Sequence, residues 1–367
     1  MIQWRRGVVV EVSSRWAGAV EYAVRLPSGD VVPALGYVEV VGDLRPGTAV
    51  LLNTTALERG LGTGGLAIVV AAPDALPRPV DDVTAVAGHV VKARYTPSQT
   101  MVLGVDEQGS EHHGKLAEAD DLEGLPVVVA DLHSALPAIL AGVRESRPSL
   151  RVAYVMTDGG ALPIDFSRTV AALREAGWLD ASITVGQAFG GDLEAVNVHT
   201  GLLAARHVVA ADVAIVSQGP GNLGTGTRWG FSGTSAGEAV NAAGTLGGRP
   251  VCSLRISEAD PRERHRGVSH HSLTAYGRVA LVSADVPVPC LSGDLGARVR
   301  EQAQALASAS AGRLVLHEVD TEGLDAALRA SPVPLRTMGR GYDDDRAGFL
   351  GAAVAGRYAA QLLIAGR

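Results

Sequence analysis

Three histidines, His265, His270 and His271, sit close together among Arg262, Arg264 and Arg266. Imidazole transfers protons and attacks phosphorus near neutral pH. Guanidinium groups hold phosphate or carboxylate through paired N–H donors. The arginines would repel a cation and attract an anion. This pattern therefore points to phosphate or carboxylate chemistry rather than to a metal held by these histidines. His270 and His271 are the candidate proton-transfer or nucleophilic groups. His265, Arg255 and Arg264 are candidate anion-binding groups. A basic surface loop, with histidines bonded to backbone carbonyls, is the plain structural alternative.

A second stretch, Ser217-Gln218-Gly219-Pro220-Gly221-Asn222-Leu223-Gly224-Thr225-Gly226-Thr227, follows the apolar run Val213–Val216 and precedes a helix expected from Ser235. Glycine-rich turns between strand and helix direct backbone N–H groups at anions. Gly219, Gly221, Asn222, Gly224 and Thr225 are the candidate contacts. Gly219, Gly221 and Gly224 match GxGxxG, but no acid follows about 20 residues on at a second strand end, as a dinucleotide fingerprint requires. Pro220 removes one donor. No GxxxxGK[ST] occurs, which argues against a Walker-type NTPase.

Carboxylates close the ends of other apolar runs: Asp131, Asp158, Asp192 and Glu194. Acids at strand ends hold Mg²⁺ through waters, with a substrate phosphate completing the shell. Asp158, Asp192 and Glu194 are the candidate Mg²⁺ ligands, and Asp158 is also a candidate base. Asp192 alternatively caps a helix expected to begin at Leu193, and Asp158-Gly159-Gly160 also describes a turn. His133, directly after a strand, is a further catalytic candidate. Gly190 and Gly191 belong to the anion-binding set.

Two kinds of element must position these groups. Over roughly residues 1–115, short β-prone runs recur between turn signals: Val8–Val12, Val20–Leu26, Val31–Tyr37, Thr48–Asn53, Leu66–Ala71, Gly88–Tyr95 and Met101–Asp106. They predict a small β-barrel or sandwich. Gly60–Gly65 reads as a hairpin or bulge loop, and Glu111–Lys115, with its two histidines, as a solvated linker. Over residues 124–367, strands alternate with helices. Strands are expected at Val127–Ala130, Arg151–Met156, Ile183–Gly186, Asp212–Val216, Pro250–Ile256, Val279–Ala284 and Leu314–Val319. Helices are expected at Leu136–Arg144, Phe166–Ala176, Leu193–Val208, Ser235–Gly244, Leu295–Ser308 and Gly348–Ala365. Such alternation predicts a mostly parallel, doubly wound, Rossmann-like three-layer α/β sheet. The candidate residues then converge on the carboxyl ends of its strands.

Composition bounds the rest. The chain has 367 residues, 47% of them hydrophobic, enough for two cored domains. A net charge of -7 with only 4% aromatic residues argues against nucleic-acid binding, including RNA binding by base stacking. Cys252 and Cys290 are too few for a disulfide framework and read as small buried hydrophobes. The N-terminus enters strand-like sequence rather than a signal-peptide core, and no apolar run reaches about 18 residues. These features predict no membrane span and a cytoplasmic location. A homo-oligomer, a homodimer first, is the expected assembly.

Gly88-His89-Val90-Val91-Lys92 with Arg94-Tyr95-Thr96-Pro97, Met156-Thr157-Asp158-Gly159-Gly160-Ala161-Leu162-Pro163, Gly186-Gln187-Ala188-Phe189-Gly190-Gly191-Asp192, Gln218-Gly219-Pro220-Gly221, Ser269-His270-His271 and Met338-Gly339-Arg340 form an unusual set of strings. Together they resemble one bacterial family, the domain-of-unknown-function family numbered 3866. The resemblance implies that the β-rich and α/β parts form one unit, and it carries no known reaction. The residues themselves favour a small anionic ligand, phosphorylated or nucleotide-like, bound at the strand ends and hydrolysed or used in group transfer. The competing reading is a non-catalytic metabolite sensor or scaffold whose β-domain contacts a macromolecule.

Overall fold

A computed structural model describes residues 1–77 and 87–365. The chain divides into two compact units. One comprises Met1–Ala87, Ala93–Met101 and Asp165–Ala171; the other comprises Gly88–Lys92, Val102–Ile164 and Ala172–Arg367.

The first unit contains a closed five-stranded barrel, which decides between the barrel and the sandwich. Its strands are β1 (Trp4–Trp16), β2 (Ala19–Arg25), β3 (Val31–Tyr37), β4 (Ala49–Asn53) and β5 (Ala67–Ala71), in the order β1-β2-β3-β5-β4. Only β3 and β5 pair in parallel; the other neighbours are antiparallel. Val20, Tyr22 and Val24 alternate into the barrel core with Val50, Leu52, Ala67 and Val69, as the period of two requires. The Gly60–Gly65 loop holds a 3₁₀ turn at Thr63–Gly65.

Within this unit, Trp16 Nε1 donates to the Asp165 carbonyl at 2.6 Å. The Asp165 carboxyl is raised to about 6, first by burial and then by the charge of Glu39. In the unfolded chain a carboxyl titrates near 4. The fold therefore opposes ionisation, and stability is expected to fall as pH rises from about 4 to about 6. Asp165→Asn should remove this penalty and stabilise the protein above pH 6 by on the order of 1–2 kcal/mol, with no gain below pH 4. Urea midpoints at the two pH values test this.

The second unit is built on eight strands, all paired in parallel: β6 (Pro126–Val129), β7 (Val152–Thr157), β8 (Ala181–Thr184), β9 (Leu193–Glu194), β10 (Val213–Gln218), β11 (Arg249–Cys252), β12 (Ala284–Pro289) and β13 (Leu314–Val319). Their order is β9-β8-β7-β10-β6-β11-β12-β13. The central strands are buried on both faces, so their sequences run apolar without alternation.

The helices are α1 (Leu136–Ser146), α2 (Arg168–Glu175), α3 (Val198–His207), α4 (Ser235–Thr245), α5 (His270–Thr274), α6 (Gly293–Ala309), α7 (Leu324–Arg329) and α8 (Arg346–Ala365). Apolar faces of α3, α4 and α6 share one core with Val127, Val129, Val155 and Val216 of the sheet. Helices α1 and α8 pack on each other, and α8 also packs on β6, β11 and β12. The result is three layers. Among the described residues, no helix is long and apolar enough to cross a membrane.

Several expectations change. Leu193–Val208 is not one helix: Leu193 and Glu194 form β9, and α3 starts only at Val198, capped by Asn197, whose side chain accepts from Thr200 N at 3.0 Å. Asp192 therefore caps nothing, because its carboxylate is taken by Ser182 and Arg174. Val279–Ala284 is no strand; Ala275–Val279 continues α5 as a π-turn, and β12 begins at Ala284. Glu111–Lys115 is a folded segment: His113–Leu116 form a helical turn with Leu116 buried, and His113 Nδ1 pairs with the Asp106 carbonyl at 2.7 Å. Cys252 is buried, whereas Cys290, just beyond the end of β12, is exposed.

Candidate functional site

Strand β6 lies mid-sheet and leaves through α1 on one face, while its neighbour β10 leads to α4 on the other. Connections that diverge in this way open a crevice at the carboxyl ends. Asp131 follows β6, Gln218 ends β10 and Arg255 follows β11. Past Arg255, Ile256–Ser257 pairs antiparallel with Gly267–Val268. This ribbon folds the chain back, so Ser269 N donates to the Arg255 carbonyl at 2.8 Å and Arg255 N to Ser272 Oγ at 2.9 Å. Short helix α5 therefore begins beside Arg255. Ser269 caps it, accepting from His271 N at 3.2 Å.

This arrangement gathers charged and aromatic groups. Arg255 donates to His271 Nδ1 at 3.1 Å. Asp131 Oδ2 lies 3.5 Å from that nitrogen and 3.8 Å from the guanidinium. Asp131, Arg255 and His271 are all almost fully enclosed. Phe231 stacks on the His271 ring with centroids 3.8 Å apart and meets His270 edge-on. The buried His265 holds Ser269 Oγ through Nδ1 at 2.7 Å. His270 Nε2 is enclosed with no hydrogen-bond partner. One ring nitrogen from each of His265, His270 and His271 falls within 4.8 Å of the others. Burial first, then neighbouring cations, hold His265 at about 3 and His270 at about 4, so both rings are neutral at pH 7. A neutral imidazole offers a lone pair to a proton, a phosphorus atom or a metal ion.

Asp131 and Arg255 also line a cavity with Ser134, Ser257, Thr337 and Arg340. Ser134 Oγ donates to Thr337 Oγ1 at 3.0 Å. Arg340 is neutralised by Asp345 at 3.0 Å and Asp260 at 3.3 Å. Arg262 grips Asp260 with two hydrogen bonds of 2.9 Å, which hold that carboxyl well below the usual range. Arg264 has no carboxylate partner among the described residues. Sequence reading did not single out Phe231 or Thr337. Ser269 and Arg340 carried a signal, in the strings Ser269-His270-His271 and Met338-Gly339-Arg340.

The other candidates stand elsewhere. His133 pairs with Tyr154 Oη at 3.0 Å, and burial lowers it to about 4. Asp158 is exposed and accepts from Gln187 N at 2.8 Å. Asp192 accepts from Ser182 N and Arg174. Glu194 accepts from Gly190 N at 2.6 Å and Thr184 Oγ1 at 2.7 Å, and it faces Lys92 Nζ at 3.3 Å. Gly191 N donates to Thr184 Oγ1. Asp158, Asp192 and Glu194 thus have separate structural partners; the His265, His270 and His271 group is the one within reach of a single ion among the described residues.

The glycine loop packs against the loop after β7. A Cβ built on Gly160 would lie 2.1 Å from the Gly219 carbonyl, and one on Gly219 2.5 Å from the Ala161 carbonyl. Ala161 N donates to the Pro220 carbonyl at 2.7 Å and Gly219 N to the Thr157 carbonyl at 3.1 Å. These glycines therefore serve the close approach of two backbones. Beyond Gly221 the loop turns back on itself: Thr225 N donates to the Gly230 carbonyl, Leu223 N to Ser232 Oγ, and Ser232 Oγ to Asn222 Oδ1. Gly221, Gly224 and Thr225 are exposed, and a 3₁₀ turn at Ser232–Thr234 separates the loop from α4.

No curated protein matches this chain. The family described as "Protein of unknown function (DUF3866)" matches residues 33–356, from β3 of the barrel into α8. The match covers most of the chain, and the chain belongs to this family.

Proposed function

We propose that the chain binds a small phosphorylated or nucleotide-like molecule at the carboxyl ends of β6, β10 and β11 and hydrolyses it or transfers a group from it. One observation carries this reading. Asp131 and Arg255 line a cavity and at the same time face His271. An anion in the cavity would meet the Arg255 guanidinium, with Arg264 a second cation that has no acid partner among the described residues. Because Arg255 donates to Nδ1, His271 keeps its ring N–H on Nε2, where it can donate a hydrogen bond to a phosphoryl or leaving-group oxygen. His270, neutral and unpartnered at Nε2, takes a proton from the attacking water and, as the imidazolium, passes it to the leaving-group oxygen. Asp131 is a positioning residue, with Oδ2 3.5 Å from His271 Nδ1 and 3.8 Å from the Arg255 guanidinium. The Gly219 loop has fewer N–H groups to offer, since those of Gly219, Leu223 and Thr225 already donate within the protein.

Thermal unfolding with inorganic phosphate, nucleotides and sugar phosphates tests this reading. A ligand at 100 times its Kd is expected to add about 2.7 kcal/mol of stability. Arg255→Gln should weaken that ligand about tenfold to a hundredfold, the worth of a hydrogen bond to a charged group. If none of these anions shifts the unfolding temperature, or if Arg255→Gln leaves the shift unchanged, the proposal fails.

A further inference from the structure

We propose that His265, His270 and His271 bind a divalent transition ion of the zinc class, with Asp131 as the outer partner of His271. The proposal goes beyond the anion reading and does not depend on it.

Three features support it. First, the chain puts one ring nitrogen from each of three histidines within 4.8 Å of one another. The 3₁₀ turn at Glu263–His265 and the start of α5 are brought together by the antiparallel ribbon between them. Small side-chain rotations would bring three nitrogens to the ~2.1 Å metal distance of a three-histidine site, whose fourth position stays open for water or substrate.

Second, the outer contacts suit ligation. His265 Nδ1 faces Ser269 Oγ at 2.7 Å. With Nδ1–H donating there, Nε2 presents its lone pair. His271 Nδ1 has two neighbours, the Arg255 guanidinium at 3.1 Å and Asp131 Oδ2 at 3.5 Å. Facing the arginine, Nδ1 accepts and Nε2 holds the proton. Facing the carboxylate, Nδ1 donates and Nε2 becomes a ligand, which gives the carboxylate–histidine–metal arrangement common at such sites.

Third, two polar atoms here lack hydrogen-bond partners: His270 Nε2 and Asp131 Oδ2. A buried polar group without a partner destabilises a fold by about 1–3 kcal/mol, and a bound ion is one recognised explanation. An ion would occupy the first atom and turn the His271 N–H toward the second.

Most of the arginines that weigh against a cation in the sequence are balanced in space, whereas Arg264, without a carboxylate partner among the described residues, acts on His270 as a positive charge. Arg262 is clamped by Asp260, Arg266 faces Glu263 at 4.0 Å, and Arg255 lies 3.8 Å from Asp131. Imidazole ligands suit zinc, cobalt, nickel and copper rather than Mg²⁺, which prefers oxygen. With the ion bound, activation of water passes to the metal and the histidines become ligands.

The test uses the full chain, stripped with a chelator and titrated with Co²⁺ in phosphate-free buffer, followed by visible absorption. Metal content after gel filtration with Zn²⁺ is measured in parallel. About one ion per chain is expected, with no retention of Mg²⁺. His265→Gln and His270→Gln should weaken Co²⁺ by more than about a hundredfold, and the near-isosteric Asp131→Asn by about tenfold to a hundredfold. Circular dichroism would confirm that each variant is folded. Wild-type protein without stoichiometric Co²⁺ or Zn²⁺ would overturn the proposal, as would folded histidine variants with unchanged affinity. Unchanged affinity in Asp131→Asn would overturn the outer-partner arrangement. The phosphate shift is measured on metal-free protein, so either result can fail alone.

Discussion

Replacing Lys92 with Met is expected to destabilise the second unit by about 3–5 kcal/mol, the cost of leaving a buried charge without its partner. Lys92 is fully buried. Its ammonium donates to the carbonyls of Ala188 at 2.9 Å and Ala195 at 2.8 Å, and it faces Glu194 at 3.3 Å. Burial lowers the lysine and raises the glutamate, while their mutual attraction opposes both shifts. Glu194 in turn fixes Gly190 N and Thr184 Oγ1, so the pair ties the ends of β8 and β9 to the intervening loop. Lys92→Met leaves the Glu194 charge and two carbonyls unsatisfied. Adding Glu194→Leu should restore part of the loss, since an apolar pair no longer buries an unmatched charge. Urea denaturation at pH 7 checks this: the midpoint should fall at unchanged slope for the single variant and recover partly in the double one. A single variant as stable as wild type would show that the pair is not a structural clamp.

Gly356→Val and Gly142→Val should each destabilise the protein by about 3 kcal/mol or more through overpacking. These two glycines let α1 and α8 touch. A Cβ built on Gly142 would lie 1.9 Å from the Ala353 carbonyl, and one on Gly356 1.9 Å from the Ile139 carbonyl. The neighbouring atoms are backbone, so no rotamer change relieves the clash. Even Gly356→Ala tests the point. In an exposed helix it would stabilise by about 1 kcal/mol; here the sign should reverse, as a lower unfolding temperature. A rise would mean that the two helices can separate at little cost. Because α8 also packs on β6 and β11, loosening it should weaken the cavity formed by Asp131 and Arg255 as well.

Much of this architecture was legible in the chain because the local signals agree with the tertiary result. Runs such as Val213–Val216 are apolar throughout, which a strand buried on both faces requires. Leu193–Val208 misleads because Leu193 and Glu194 continue smoothly into a helical pattern. Only sheet pairing, with Thr184 opposite Glu194, pulls them out of it. Val279–Ala284 misleads in the opposite way, since a β-prone composition yields to packing at the end of a π-turn. The glycine loop shows the limit of motif reading. GxGxxG records a need for close backbone approach, and here two loops approach each other.

By itself, the sequence determined most of the elements, the succession of β-rich and then α/β segments, and the list of groups able to do chemistry. Period, apolar length and turn residues are local properties, and each strand or helix carries its own. Which of those groups meet is set by strand order and by the ribbon that returns the chain beside Arg255, and these pairings join residues far apart in sequence. Hence Asp131, Arg255 and His271 converge with His265 and His270, while Asp158, Asp192 and Glu194 serve as ties within other loops. Tertiary structure decided this because a side chain's partners depend on where the sheet places its backbone, and no spacing within the sequence records that placement.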